Sequence, residues 1–124
     1  MPQNRFATAV IAHLKDDGKL TIANAGHCPP LIVRRDGTIE EIASTGPLLG
    51  ILKNAKWRSY TTYLEHGETL ILYSDGVTES TRDGEELGVG GLRQVVRRVG
   101  ASANAILREL DVTSDDVTLV TVRA

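Results

Sequence analysis

Two acidic groups in this chain stand where predicted β-strands meet loops. Asp75 and Gly76 follow an apolar run over residues 69–73, and Asp115 and Asp116 precede a second apolar run over residues 117–122. The carboxylate and water oxygens found at such strand ends are the ligands that magnesium and manganese prefer. The two groups therefore predict a site for a hard divalent cation, formed by strands that lie side by side in one sheet.

Electrostatics favours a metal site, but the same residues could simply form turns. Two carboxylates held close together repel each other unless a cation neutralises them, and Gly76 would let the backbone approach the ion or its water shell. However, Asp-Gly is also a common turn dipeptide, and the chain has others at residues 17–18, 36–37 and 83–84. The residues alone leave both the metal site and a set of ordinary turns open.

Composition excludes several classes of protein. The chain has 124 residues, 41% of them hydrophobic and 24% charged, which is typical of one globular domain. The net charge of -2 argues against a nucleic-acid binder. No run approaches the ~20 apolar residues that cross a bilayer. A single cysteine, Cys28, permits no internal disulfide, which indicates a cytoplasmic or a redox-indifferent protein, and we expect the former.

The elements that would position the acidic groups are mostly strands in the first two thirds of the chain. Alternating patterns and Asp-Gly turns predict a hairpin over residues 6–24 and another over residues 31–42. Further strands are predicted over residues 57–64, before Asp75 and after Asp116. Because strands and helices are segregated along the chain, the fold class is α+β, with mainly antiparallel sheets and helices packed on them.

The region after Gly76 has a different pattern. Residues 77–90 carry several glycines and charges and are expected to form an exposed excursion. Leu92, Val95, Val96 and Val99 have helical spacing, and Gly100 should end that helix. Ser102 is a candidate N-cap for a second helix, whose apolar positions are Ala105, Ile106, Leu107 and Leu110.

Several segments, in order, resemble a known family. Residues 72–79, LYSDGVTE, resemble the signature LYTDGVTE of bacterial PPM-type serine phosphatases, the stage II sporulation protein E-like enzymes that regulate sigma factors. The other matching segments are FAT at 6–8, ANAGHCPPL at 23–31, GPLLG at 46–50, GEELG at 84–88 and DDVTL at 115–119. The likeness covers nearly the whole chain, which we take as one domain over residues 1–124.

The resemblance implies an αββα sandwich that holds two Mn²⁺ or Mg²⁺ ions and hydrolyses phosphoserine or phosphothreonine. Carried over by position, Asp75, Gly76 and Asp115 would belong to the metal site. Asp116 is the next candidate, because a shift of one residue stays open. The implied substrate is a phosphorylated regulatory protein of the anti-sigma-factor antagonist type, with no nucleic acid or membrane partner.

Two motifs of this family have no counterpart before Phe6. These are a GDyyD-like strand and a GHG-like turn, which supply a bridging aspartate and a carbonyl ligand. We therefore expect a fold that is incomplete at its N-terminal side. A sheet lacking strands exposes an edge and an apolar face, which predicts a homodimer or association with the missing segment. The alternative function is a catalytically inactive remnant that acts as a protein-binding module.

Two residues of the proline-flanked loop remain. His27 could be a ligand, a general acid or a hydrogen-bonding residue that orders its loop, and we expect the last of these. Cys28 has no neighbouring base and orienting group of the kind that activates a thiol nucleophile. It is expected to be a packed or merely accessible thiol.

Overall fold

The computed structural model describes residues 7–47, 49, 56, 58–112 and 116–124. The predicted positions Phe6, Trp57 and Asp115 lie outside these residues. The strands are β1 (Ala9–Leu14), β2 (Lys19–Ala25), β3 (Leu31–Val33), β4 (Ile39–Glu41), β5 (Tyr60–Tyr63), β6 (Thr69–Tyr73), β7 (Thr81–Arg82), β8 (Glu85–Glu86) and β9 (Leu119–Arg123). The helices are α1 (Asp75–Thr78), α2 (Gly88–Val99) and α3 (Ala103–Arg108).

The strands form two sheets and a small hairpin. The first sheet has the order β1-β2-β5 and the second the order β4-β3-β6-β9, while β7 pairs with β8. Every strand pair is antiparallel. Both hairpins predicted from Asp-Gly turns are present, as β1-β2 and β3-β4, so the α+β fold with antiparallel sheets is confirmed.

Strand β6 lies at the centre of the molecule because both of its faces are apolar. Leu70 packs in a core between the two sheets, with Leu20, Ile22 and Ile32. Ile71 and Tyr73 point the other way and pack under the helices. This two-sided burial explains the continuous apolar run of β6, which is typical of a central strand.

The helices cover the outer face of the four-stranded sheet. As predicted, α2 ends at Gly100, whose φ of 91° is readily adopted only by glycine. Ser102 caps α3 by accepting a hydrogen bond from the amide of Ala105 at 3.5 Å. The buried residues of the two helices are Leu92, Val95, Val96 and Ile106. None of the helices in the described ranges is long and apolar enough to cross a membrane.

The expectation of an exposed excursion over residues 77–90 is wrong. Val77 and Ser80 are fully buried and Leu87 is nearly so. Val77 lies in α1 and joins the core under the helices, and the Ser80 hydroxyl donates to the carbonyl of Gly76 at 2.7 Å. Residues 83–86 of the β7-β8 hairpin, together with Glu79 and Gly90, do have the expected exposure.

Candidate metal centre

The pairing of β6 with β9 brings the two acidic segments together. The last pair in the register joins Tyr73 to Leu119. Beyond it, the amide of Ser74 donates to the carbonyl of Thr118 at 3.0 Å. The amide of Thr118 in turn donates to the hydroxyl of Ser74 at 2.9 Å. Because the strands are antiparallel, the segment that leaves β6 and the segment that enters β9 meet at one edge of the sheet.

Gly76 lies at a point of close approach between these segments. Continuing the register places it opposite Asp116, and a Cβ atom at Gly76 would collide with the Asp116 carbonyl and lie 3.0 Å from Val117 Cγ2. A side chain there would push the two acidic segments apart. Gly76 is therefore required for the close approach of these two backbones, whereas the sequence predicted that it lets the backbone approach an ion or its water shell.

Asp75 begins helix α1 and its side chain reaches solvent. Its main-chain carbonyl accepts from the Glu79 amide at 2.8 Å and from the Thr78 hydroxyl at 3.2 Å. The first turn of α1 thus fixes the backbone of Asp75, while the side chain is exposed. Asp116 is exposed as well, so both acidic residues are accessible to solvent at the same edge of the sheet.

The thiol of Cys28 donates to Oδ1 of Asp75 over 2.7 Å. Burial, reinforced by the hydrogen bond and the negative charge of Asp75, raises the pKa of Cys28 to about 12. The group is consequently a neutral thiol at physiological pH. A protonated thiol is a poor nucleophile, and Cys28 acts here as a hydrogen-bond donor to the carboxylate of Asp75.

His27 orders the loop that carries Cys28. Its backbone amide donates to Oδ1 of Asn24 at 2.8 Å, and Nδ2 of Asn24 donates back to the His27 carbonyl at 3.2 Å. The ring lies 3.0 Å from the carbonyl of Tyr73 through Nε2 and 3.1 Å from the hydroxyl of Thr8 through Nδ1. The expected loop-ordering role of His27 is confirmed.

Three of the four predicted site residues, Asp75, Gly76 and Asp116, lie within the described ranges, and they belong to adjacent segments. Asp115 lies outside those ranges. Among the described residues no three His, Cys, Asp or Glu side chains form a group suited to a metal ion. The sequence interpretation missed the contact of Cys28 with Asp75. The one signal for this contact in the sequence is the position of Cys28 next to His27, in the proline-flanked loop.

The site belongs to a chain with clear relatives. A family model described as stage II sporulation protein E (SpoIIE) matches residues 1–124. Protein IcfG of Synechocystis is 30% identical over 101 residues, which are 82% of this chain and 16% of IcfG. The phosphoserine phosphatase RsbU of Bacillus subtilis is 35% identical over 65 residues, which are 52% of this chain and 19% of RsbU. The chain thus spans less than a fifth of either relative.

Solved structures share the fold. The PP2C phosphatase domain of SpoIIE from Bacillus subtilis, solved with a fragment of its regulatory domain, superposes with a TM-score of 0.78 at 20% identity, over 94% of this chain and 37% of that one. RsbX in complex with magnesium gives a TM-score of 0.68 at 23% identity, over 94% of this chain and 55% of that one. The solved structures show that the chain shares the fold of PP2C phosphatase domains, and the family model, which matches residues 1–124, shows that the chain belongs to the stage II sporulation protein E (SpoIIE) family.

Proposed function

We propose that this chain is part of a metal-dependent protein phosphatase that hydrolyses phosphoserine or phosphothreonine on a regulatory protein. The observation that carries the proposal is the β6-β9 pairing, which brings the segment of Asp75 to the segment of Asp116, with Gly76 closed against the Asp116 carbonyl. The two apolar cores share the four-stranded sheet, which supports one domain over residues 1–124.

The donor set at this edge suits Mn²⁺ or Mg²⁺. Asp75 and Asp116 offer carboxylate oxygens, and such hard donors match hard cations. Gly76 contributes by letting the two acidic segments approach, while its own carbonyl accepts from the buried Ser80 hydroxyl. Asp115 is proposed as a further ligand from the sequence. When bound, such cations lower the pKa of a water molecule and neutralise charge on a phosphoryl group. RsbX, which shares the fold, was solved with magnesium.

The residues of this chain supply position rather than covalent chemistry. Helix α1 holds the backbone of Asp75, the Cys28 thiol donates to its Oδ1, and Asp75 and Asp116 are exposed to solvent, where a phosphorylated side chain of another protein would meet them. Phosphoryl transfer relies mainly on such positioning and on charge stabilisation. The relative RsbU is a phosphoserine phosphatase, which supports a phosphoserine substrate. That the substrate is a cytoplasmic protein of the anti-sigma-factor antagonist type is proposed from the family resemblance.

Hydrolysis of a phosphoserine peptide and of p-nitrophenyl phosphate, measured against Mn²⁺ concentration, tests this function. Asp75→Asn should reduce turnover to background because it removes a charged ligand, with unchanged folding by circular dichroism. Asp83→Asn is the matched control, since Asp83 is an exposed residue at the tip of the β7-β8 hairpin. Equal activity in wild type and Asp75→Asn would refute the proposed role of Asp75.

The second candidate is a protein-binding module without catalysis. Exposed apolar side chains on the three-stranded sheet, such as Ile11 and Tyr63, would offer it a surface for a partner. Calorimetry with Mn²⁺ separates the two functions. Tight binding of two ions per chain would contradict the binding module, whereas neither binding nor turnover at any metal concentration would favour it.

A further inference from the structure

Strand β6 continues past its neighbour β3 at the end where Asp75 begins. The last β3-β6 pair joins Leu31 to Ile71. Continuing that register by two residues brings Pro29 opposite Tyr73. Proline has no N–H group, so it cannot donate to the carbonyl of Tyr73 as a strand neighbour would. A buried carbonyl without a donor is costly, and Tyr73 is 2% exposed.

The ring of His27 takes the place of the missing donor. Its Nε2 lies 3.0 Å from the Tyr73 carbonyl. Because a carbonyl oxygen only accepts, Nε2 must carry the hydrogen, and in the neutral ring Nδ1 then accepts from the Thr8 hydroxyl at 3.1 Å. The ring therefore connects the segment before β1, in one sheet, with the end of β6, in the other.

The turn that presents this ring is itself rigid. Asn24 is fully buried and its amide makes both hydrogen bonds to the backbone of His27. The Asn24 backbone carbonyl accepts from the Thr45 amide at 2.8 Å. The next residue, Cys28, places its thiol on Oδ1 of Asp75. One turn thus contacts the chain at Tyr73 and again at Asp75.

We propose that His27 is a positioning residue for the carboxylate of Asp75. Its ring fixes the end of β6 where Pro29 cannot, and its turn carries Cys28 onto the carboxylate. A loop-ordering role alone would need only the Asn24 bonds to the backbone of His27. The ring contacts with Tyr73 and Thr8 instead act on the segment from which α1 and Asp75 start. That Asp75 is a metal ligand rests on the proposed function, whereas the positioning of its carboxylate by His27 does not.

Three substitutions separate the two ring contacts. His27→Gln keeps an amide donor at about the reach of Nε2, His27→Asn keeps only a partner for Thr8 at the reach of Nδ1, and His27→Ala keeps neither. His13→Ala is the control, because His13 is an exposed histidine on β1. The positioning role predicts that Ala and Asn share one defect and that Gln restores it.

The first measurement needs no metal. Hydrogen exchange of the Val77 and Glu79 amides reports the first turn of α1, since they donate to the carbonyls of Ser74 and Asp75. In His27→Ala and His27→Asn they should exchange roughly tenfold faster, as expected for one lost hydrogen bond. The Gly100 amide at the end of α2 should be unchanged. Equal acceleration at Gly100, or none at Val77 and Glu79, would overturn the positioning role.

The second measurement is calorimetric titration with Mn²⁺. Loss of an outer partner of a ligand typically weakens metal affinity, so the dissociation constant should rise roughly tenfold in the Ala and Asn variants and recover in Gln. Wild type that binds no Mn²⁺ would refute the proposed metal site, while the exchange data would still decide the positioning role. Wild-type binding with equal affinity in all variants would overturn the inference.

Discussion

At the scale of single residues, Gly76 has the strictest steric requirement at the candidate site. Its missing side chain is what allows the backbone of Asp116 to close against it. Gly90 offers a contrast, because a Cβ there would meet nothing within 4 Å. Both glycines lie in helices, α1 and α2, so the same substitution tests close approach in one place and helix propensity in the other.

Gly76→Ala should lower the free energy of unfolding by about 1–3 kcal/mol, the usual cost of overpacking. Gly90→Ala should leave stability unchanged or raise it by up to about 1 kcal/mol, because alanine is the better helix former. Urea unfolding followed by circular dichroism measures both changes. Equal effects of the two substitutions on the free energy of unfolding would show that the close approach of Gly76 to Asp116 does not exclude a side chain.

At the scale of elements, an ion-pair network joins the two sheets at the end of β3. Arg34 binds both carboxylate oxygens of Glu40 at 2.9 and 3.1 Å and Oε1 of Glu68 at 3.0 Å. It also donates to the carbonyl of Tyr63 in β5, across the sandwich, at 2.6 Å. Its hydrogen bonds to Glu40, followed by those to Glu68, raise the pKa of Arg34 despite its burial. The guanidinium therefore stays charged and ties the two sheets together.

Glu68→Gln should destabilise the fold by about 1.5–3 kcal/mol, because Glu68 is a buried acceptor of charged and backbone donors. Glu65→Gln is the matched control in the same loop. Glu65 pairs with Arg35 on the surface, where both side chains are more than 60% exposed, and such pairs contribute about 0–1 kcal/mol. Thermal unfolding of both variants at pH 7 makes the comparison, and a larger loss in Glu65→Gln would contradict it.

The same network predicts that the free energy of unfolding falls at acid pH. Burial alone would raise the pKa of Glu68, but hydrogen bonds from the amides of Glu65 and Arg35 and from the Arg34 guanidinium outweigh it and lower the pKa below 4.5. A carboxyl whose pKa is depressed by folding stabilises the fold above the unfolded pKa and loses that contribution as pH falls through the folded value. As the pH falls below about 4.5, the thermal unfolding midpoints of wild type and Glu68→Gln should therefore approach each other.

At the scale of the whole molecule, the described residues form two sheets with helices on one side only. The helices cover the four-stranded sheet, while β1 and β5 are the outer strands of the other sheet. Ile11 on β1 is 69% exposed and Tyr63 on β5 is 54% exposed, and the strand registers put both on the face turned away from the core. The predicted sandwich is confirmed as a fold by its solved relatives.

The homodimer stays a prediction at this scale. Open strand edges and exposed apolar side chains favour association. We expect the weight-average mass in sedimentation equilibrium to approach two chains as concentration rises. A single-chain mass throughout the concentration range would contradict the dimer.

Local signals predicted the fold better than they predicted the site. The β1-β2 and β3-β4 hairpins depend on Asp-Gly turns and alternation, which act over a few residues. Helix α1 has four residues, too few for a period to emerge, so Val77 was wrongly placed outside the core. The contact of Cys28 with Asp75 joins residues 47 positions apart. It depends on how the loop after β2 packs, for which no periodic pattern exists.

The pairing of β6 with β9 also has a consequence for the lifetime of the protein. A cation bound by the proposed ligands Asp75 and Asp116 would need the segments after β6 and before β9 to stay together, so its binding would be linked to unfolding. At a hundredfold excess over its dissociation constant such an ion would add about 2.7 kcal/mol to the free energy of unfolding. Chelating buffers would then expose the chain to proteases that it otherwise resists.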